Sequence, residues 1–324
     1  MALVSMAILL GLFLFLPETK LNARSLPSSV PPDLSLYSLK NWLEADETKV
    51  ANVIAGAEAH IRFASSQQPE KTSYAFLHIH GFSACRQETA PVAEKLADNF
   101  NGNLVEVRLA GHGLSENPMR ASAEEWLQTV VNGYDIASQL GNKIIIIGTS
   151  TGATLAAWAA ATLQKETAQI QALLLMSPNF KVKSRFDFLL TLPMSETWIP
   201  WILGRERHWQ PENDLVAKYW SSRYPVQAII EMQKVVDWFR KQHLGIYQTP
   251  LALMYMQNDP TIDASAAVRA FRSWGGTPKQ LIPVTIDGDK AEHVFAGNLS
   301  TVDRTAWCVS QFSEFLRQLM GRSS

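Results

Sequence analysis

Cysteine is nearly absent from this chain. Cys85 and Cys308 are the whole complement of 324 residues, far apart and with no CxxC spacing. They suggest neither a disulfide framework nor a cysteine metal site; one bridge is open, but two buried free thiols are the expectation. Neither charge is in surplus: 29 Lys and Arg face 30 Asp and Glu, for a net charge of −1. With no basic run and no acidic tail, there is no electrostatic footprint for nucleic acid. There is no internal repeat and no low-complexity tract. No apolar run reaches the roughly 20 residues that a bilayer-spanning helix needs.

The longest such run is Ala2–Leu16, almost wholly apolar, with Lys20 and Arg24 as the first basic side chains after it. Its length fits the h-region of a secretory signal. The n-region lacks Lys and Arg, however, and the best cleavage site, Leu21-Asn22-Ala23, carries a large residue where a small one is preferred. An anchor that is never cut is the second reading, and a helix of the folded body the third. We take residues 1–24 as signal or anchor, which implies an exported or membrane-associated protein. Residues 25–33, rich in Pro and Ser, read as a linker. The folded domain is expected over 34–324.

A hydrophobic share of 47% is ample for a core. Strand-like and helix-like segments alternate along the chain. Helices are expected at 36–47, 86–100, 122–140, 151–165, 264–274 and 301–320. Strands are expected at 57–64, 73–80, 103–110, 143–149, 171–177, 251–257 and 280–286. Repeated βα alternation predicts a mostly parallel sheet wrapped by helices on both faces. The stretch from 178 to 250 breaks the rhythm and is too long for a simple crossover. It holds Trp198, Trp201, Trp209, Trp220 and Trp238, half of the chain's tryptophans. It reads as an aromatic-rich helical insertion over one sheet edge. Most of these rings are expected to pack the insertion itself, with one or two lining a pocket for an apolar ligand.

The densest signal is Lys143-Ile144-Ile145-Ile146-Ile147-Gly148-Thr149-Ser150-Thr151-Gly152, followed by a small-residue helix. Four consecutive isoleucines predict a strand buried on both faces. Gly-x-Ser-x-Gly between a strand and a helix is a nucleophile elbow, with Ser150 at its tip. Gly148 and Gly152 would leave room where strand and helix pack tightly. The bland reading is an ordinary helix N-cap, since Thr149, Ser150 and Thr151 can all cap. In an elbow, the backbone N–H of Thr151, the residue after the nucleophile, is one oxyanion donor.

Three further pieces stand in order: His80-Gly81-Phe82 after one strand, Ala110-Gly111-His112-Gly113-Leu114-Ser115 after the next, and a late acid and histidine. From about Tyr74 to the C-terminus, the chain resembles the α/β-hydrolases. Within them it is most similar to the esterase, lipase and serine-aminopeptidase-like group, which includes the monoacylglycerol lipases. The resemblance implies an α/β-hydrolase fold with a cap at about 180–248 and the chain order Ser, acid, His. Of the histidines after Ser150, His208 and His243 fall in the cap. His293 stands where the family's catalytic base sits. Asp259, in Asn258-Asp259-Pro260 after the 251–257 strand, matches the family's acid. Asp263 is a competitor that also reads as a helix cap, and Asp287 and Asp289 lie in a turn near His293. Phe82 matches the second oxyanion donor, with Gly81 letting that backbone approach the site. His80 and His112 are expected to brace their own loops. His78 and His80 are two apart and share a strand face, but no third ligand of suitable spacing makes a metal site of them.

The implied activity is a serine hydrolase working through an acyl-enzyme, without cofactor or metal. The expected substrate is a small-molecule or lipid-like ester with an apolar or medium-length acyl group. Amides or peptides are the nearest rival, for which an acid in the cap (Glu196, Glu206, Glu212, Asp214 or Glu231) would hold a substrate amine. A non-catalytic α/β-hydrolase-like binding protein is the reading from another class. Membrane association through residues 2–16 is also expected. The sequence leaves the oligomeric state open.

Overall fold

In the computed structural model, the four isoleucines form the middle of a seven-stranded sheet and their side chains alternate between its two faces. Ile144 and Ile146 belong to one core cluster, and Ile145 and Ile147 to the other. A central parallel strand must be apolar on both sides, because helices cover both. The structure describes residues 16, 19–24, 26–163, 169–285, 291–299 and 302–321. The apolar run before Leu16 and the acids Asp287 and Asp289 lie outside the described residues.

The strands are β1 (His60–Arg62), β2 (Thr72–Ile79), β3 (Asn103–Glu106), β4 (Gly141–Thr149), β5 (Gln169–Met176), β8 (Leu251–Tyr255) and β9 (Lys279–Pro283), with β6 (Glu206–His208) and β7 (Arg223–Pro225) in the insertion. Their order across the sheet is β1-β3-β2-β4-β5-β8-β9. β1 runs antiparallel to β3, and every other pairing is parallel. The helices of the main body are α1 (Leu36–Glu47), α2 (Val92–Asn99), α3 (Ala123–Leu140), α4 (Thr151–Thr162), α8 (Ala264–Ser273) and α9 (Val302–Gly321). The buried side chains of α3 and α4 pack on one face of the sheet, and those of α2 and α9 on the other. This is the α/β-hydrolase fold.

Local chemistry sets the element ends. Ser122 caps α3 in a reciprocal capping box with Glu125. The helix expected over 86–100 splits into a short 3-10 turn, Arg86–Glu88, and α2. Pro91 has no N–H to continue the helical ladder, which is why the expected single helix fails there.

The insertion contains α5 (Ser195–Leu203), β6 (Glu206–His208), α6 (Asp214–Tyr219), β7 (Arg223–Pro225) and α7 (Gln227–Arg240). β6 and β7 pair antiparallel as a separate two-stranded sheet. Phe180, at the start of the insertion, stacks on Phe239 of α7 at 3.8 Å between ring centres. Trp198 packs on the insertion's own small core, Trp209 and Trp220 line a cavity, Trp238 packs against the main core, and Trp201 is exposed.

The stretch read as a linker is docked on the body. Gln128 and Gln139 of α3 donate to the Pro27 and Pro31 carbonyls, and Val30 is buried. Upstream of it, the indole of buried Trp158 donates to the Ala23 carbonyl at 3.0 Å. No helix among the described residues is long and apolar enough to cross a membrane.

Candidate active site

The elbow follows from β4 running straight into α4. Ser150 sits between them with φ 52° and ψ −116°, a conformation in which an L residue is strained. The turn closes only because its flanks are glycine. A Cβ on Gly148 would come within 2.7 Å of the Ala153 Cα, and one on Gly152 would collide with the Ile79 and His80 carbonyl oxygens. The neighbouring strand end also holds the elbow. Ser150 N–H donates to Met176 O at 2.9 Å, and Ser150 O accepts from Asn179 N–H at 3.0 Å.

His293 reaches this serine from the loop after β9. Its Nε2 lies 2.8 Å from Ser150 Oγ, and its Nδ1 lies 2.8 Å from Asp259 Oδ2. With the Nδ1–H donated to the carboxylate, Nε2 is left as an acceptor for the serine proton. Asp259 is buried just beyond the end of β8. Its other oxygen, Oδ1, accepts from Thr261 N–H at 2.7 Å and Ile262 N–H at 3.0 Å, which fixes the carboxylate plane. The three sequence-predicted residues therefore meet in one hydrogen-bonded line. Asp263 does not join them; it caps α8 through Ser265 N–H and Ala266 N–H. His208 and His243 are exposed on the insertion.

The loop after β2 supplies the opposite wall. The N–H groups of Phe82 and Thr151 donate to no protein acceptor among the described residues, so both are available to a ligand oxygen. Both ring nitrogens of His80 are engaged in this part of the structure. Leu109 N–H donates to its Nε2 at 3.1 Å, so its Nδ1–H donates to the Gly81 carbonyl at 2.8 Å. Burial holds its pKa well below the ordinary histidine value and keeps the ring neutral. His112 is likewise pushed down, to about 4, by burial, and its Nδ1 bonds the Ala110 carbonyl at 3.1 Å. His78 faces elsewhere, towards Glu106 and Thr89, each at 3.3 Å. Among the described residues no cluster of His, Cys, Asp and Glu could hold a metal.

Sequence reasoning missed four supporting groups. Buried Glu88 accepts from Gly81 N–H at 2.7 Å, and burial raises its pKa to about 8. Ser177, at the end of β5, donates its hydroxyl to the His293 carbonyl at 2.6 Å. Asn179 ties the elbow through Thr151 Oγ1 and Thr154 Oγ1. Tyr224 of the cap packs edge-on against Phe82 at 5.3 Å, and Ser221 N–H nearby donates to Ser83 O at 2.7 Å. The insertion thus rests directly on the loop that carries the Phe82 N–H. Positive φ at Ser83 and Ser177 marks both loops; no periodicity in the sequence announces such positions.

The family model of the serine aminopeptidases, S33, matches residues 70–284, well over half of the chain. The chain belongs to this family. The S33 match begins just before β2 and ends just after β9, so it takes in the elbow, the insertion and Asp259. Among solved structures, a metagenome-derived lipolytic enzyme of the LipS and LipT study is similar, with 18% identity, a TM-score of 0.64, and coverage of 82% of this chain and 99% of that one. The monoacylglycerol lipase of Paleococcus ferrophilus is similar at 14% identity and a TM-score of 0.60, over 81% and 99% of the two chains. A soluble variant of the monoglyceride lipase of Saccharomyces cerevisiae, in complex with a substrate analog, gives 13% and 0.56 over 81% and 91%. At these identities the likeness shows the fold. No curated protein matches the sequence. The chain is thus a hydrolase of the S33 α/β family.

Proposed function

We propose that this protein is a serine esterase that hydrolyses carboxylic esters with an apolar or medium-length acyl group. The observation that carries the reading is the unbroken line Asp259–His293–Ser150, with 2.8 Å at each link. A serine hydroxyl is a poor nucleophile at neutral pH and needs such a base. In this reading, Ser150 Oγ attacks the ester carbonyl while His293 Nε2 takes its proton. The carbonyl oxygen becomes an oxyanion that accepts from the Phe82 and Thr151 N–H groups. The tetrahedral species collapses, the C–O bond to the alcohol breaks, and His293 returns the proton to the leaving oxygen. Water then enters, loses a proton to His293, and releases the acid and Ser150.

A cavity of about 270 Å³ borders His293 and is lined in part by Trp209, Val216 and Trp220 of the insertion. An apolar wall of this kind suits an acyl chain. One observation favours an amine-bearing substrate instead: of the five acids proposed to hold an amine, Glu212 lines this same cavity.

Hydrolysis of p-nitrophenyl esters from acetate to palmitate, beside aminoacyl p-nitroanilides, tests both. The ester reading expects turnover that peaks at a medium chain and is lost in Ser150→Ala. Anilide turnover without ester turnover would favour the aminopeptidase. We further propose that residues 2–16 hold the protein at a membrane.

A further inference from the structure

The insertion carries an apolar face that nothing in the described molecule covers. Trp201 is 86% exposed, Ile202 67% and Phe186 68%; Phe188, Met194 and Leu203 are exposed beside them in sequence. Scattered surface apolar residues are ordinary, but a contiguous group of this size marks an interaction site. Its surroundings are basic. Arg185, Arg205 and Arg207 are exposed at its two ends. Of the nearby acids, Asp187 is paired with Arg240 and Glu206 with Arg223, which leaves Glu196 on α5. Tryptophan and aliphatic residues flanked by arginine are the composition of a surface that lies in a lipid interface.

A second observation identifies the occupant. The chain before Thr19 is the apolar run Ala2–Leu16, and Thr19 is fastened to this very part of the insertion. Thr19 N–H donates to Thr191 O at 3.1 Å, and the Ser195 hydroxyl donates to Thr19 Oγ1 at 3.2 Å. Ser195 is the first residue of α5. The next residues are also built into the body, through Asn22 N–H to Glu124 and Trp158 to Ala23. A segment tied in this way is part of the fold, which fits a retained anchor rather than a peptide removed near Ala23.

We propose that the exposed face of α5 and of the 3-10 turn before it, Asp187–Thr191, docks on a lipid bilayer, the same surface that the N-terminal apolar run enters. Thr19, three residues after the apolar run ends in the sequence, is held at the edge of this face. The insertion also rests on the Phe82 loop, so docking places the lipid surface against the element that covers the catalytic residues. This inference stands on the anchor and the patch, and does not depend on which bond the enzyme cleaves.

The test uses the full-length chain reconstituted in phosphatidylcholine–phosphatidylglycerol vesicles. Cys85 and Cys308 are buried with thiols raised to about 12 by desolvation, so a thiol-reactive NBD dye reports an added surface cysteine. The dye is placed in Ile202→Cys, in Phe188→Cys as a second reporter, and in Gln318→Cys on α9 as control. The expected result is a blue-shifted emission at 202 and 188, with quenching by acyl-chain nitroxide lipids, and neither at 318. A second measurement compares vesicle binding of Trp201→Ser, for which about a tenfold loss is expected from the apolar area removed. Water-like emission at 202 and 188 in vesicle-bound protein would overturn the proposal. So would an apolar signal already present without lipid, since a sedimenting dimer would then assign the face to a second copy, and a monomer would assign it to the chain's own N-terminal run.

Discussion

Asp259 uses both carboxylate oxygens, one for His293 and one for two backbone N–H groups. Asp259→Asn keeps an acceptor for those N–H groups but turns an amide towards His293, favouring the wrong tautomer. We expect kcat to fall by about 10⁴ with KM little changed, a loss typical of triads deprived of their carboxylate; steady-state kinetics on a p-nitrophenyl ester checks it. Glu88 accepts from the Gly81 N–H, one residue before Phe82, whose N–H we propose as an oxyanion donor. Its folded pKa of about 8 lies above the ordinary 4.5 because burial penalises the anion. A raised folded pKa contributes stability that is complete below the unfolded pKa. That contribution is lost as pH rises from about 4.5 through about 8. Glu88→Gln does not titrate, so the Tm of wild type relative to this variant should fall steadily over that window. A pH-independent difference would show that Glu88 is ionised in the native protein.

At the scale of elements, the tightest constraint is the crossing of α4 over the end of β2. Gly152 has backbone carbonyls where a Cβ would stand, and backbone cannot move aside as a flexible side chain can. Gly152→Ala should cost about 1–3 kcal/mol or more by overpacking, read from urea unfolding, and should displace Ser150 enough to lower kcat. Unchanged stability would mean that strand and helix stand further apart than described.

These elements also show what the sequence made legible. Ile144–Ile147, Gly148 and Gly152 announce a doubly buried strand and a tight turn, because apolar runs and glycine have few other uses there. Ser150, Asp259 and His293 were readable through motif and order along the chain. Glu88, Ser177 and Asn179 were not, because they act through backbone groups brought together only by the sheet order. The break at Pro91 shows the converse: helical periodicity in the sequence was overridden by one missing N–H. The stretch at 25–33 has linker composition, yet its carbonyls are taken up by glutamines of α3, and a partner so distant in sequence leaves no local trace.

At the scale of the molecule, the two thiols lie on different walls. Cys85 is buried in the loop after β2 that carries Phe82, and Cys308, on α9, in the core. Burial raises both to about 12, so neither offers a thiolate near neutrality. Native protein should react with no iodoacetamide and should keep its Tm in the presence of reductant; denatured protein should take up two labels. Fast native alkylation would show that one wall opens.

The central claim is that His293 activates Ser150 as a nucleophile, and a fluorophosphonate tests it most directly. The probe phosphonylates an activated serine hydroxyl and loses fluoride, with no need to know the natural substrate. Mass spectrometry of the labelled chain should find one adduct, on the peptide containing Ser150. Ser150→Ala should abolish it, and His293→Ala should slow it severely. A folded protein that takes no label, or takes it at another serine, would contradict the account.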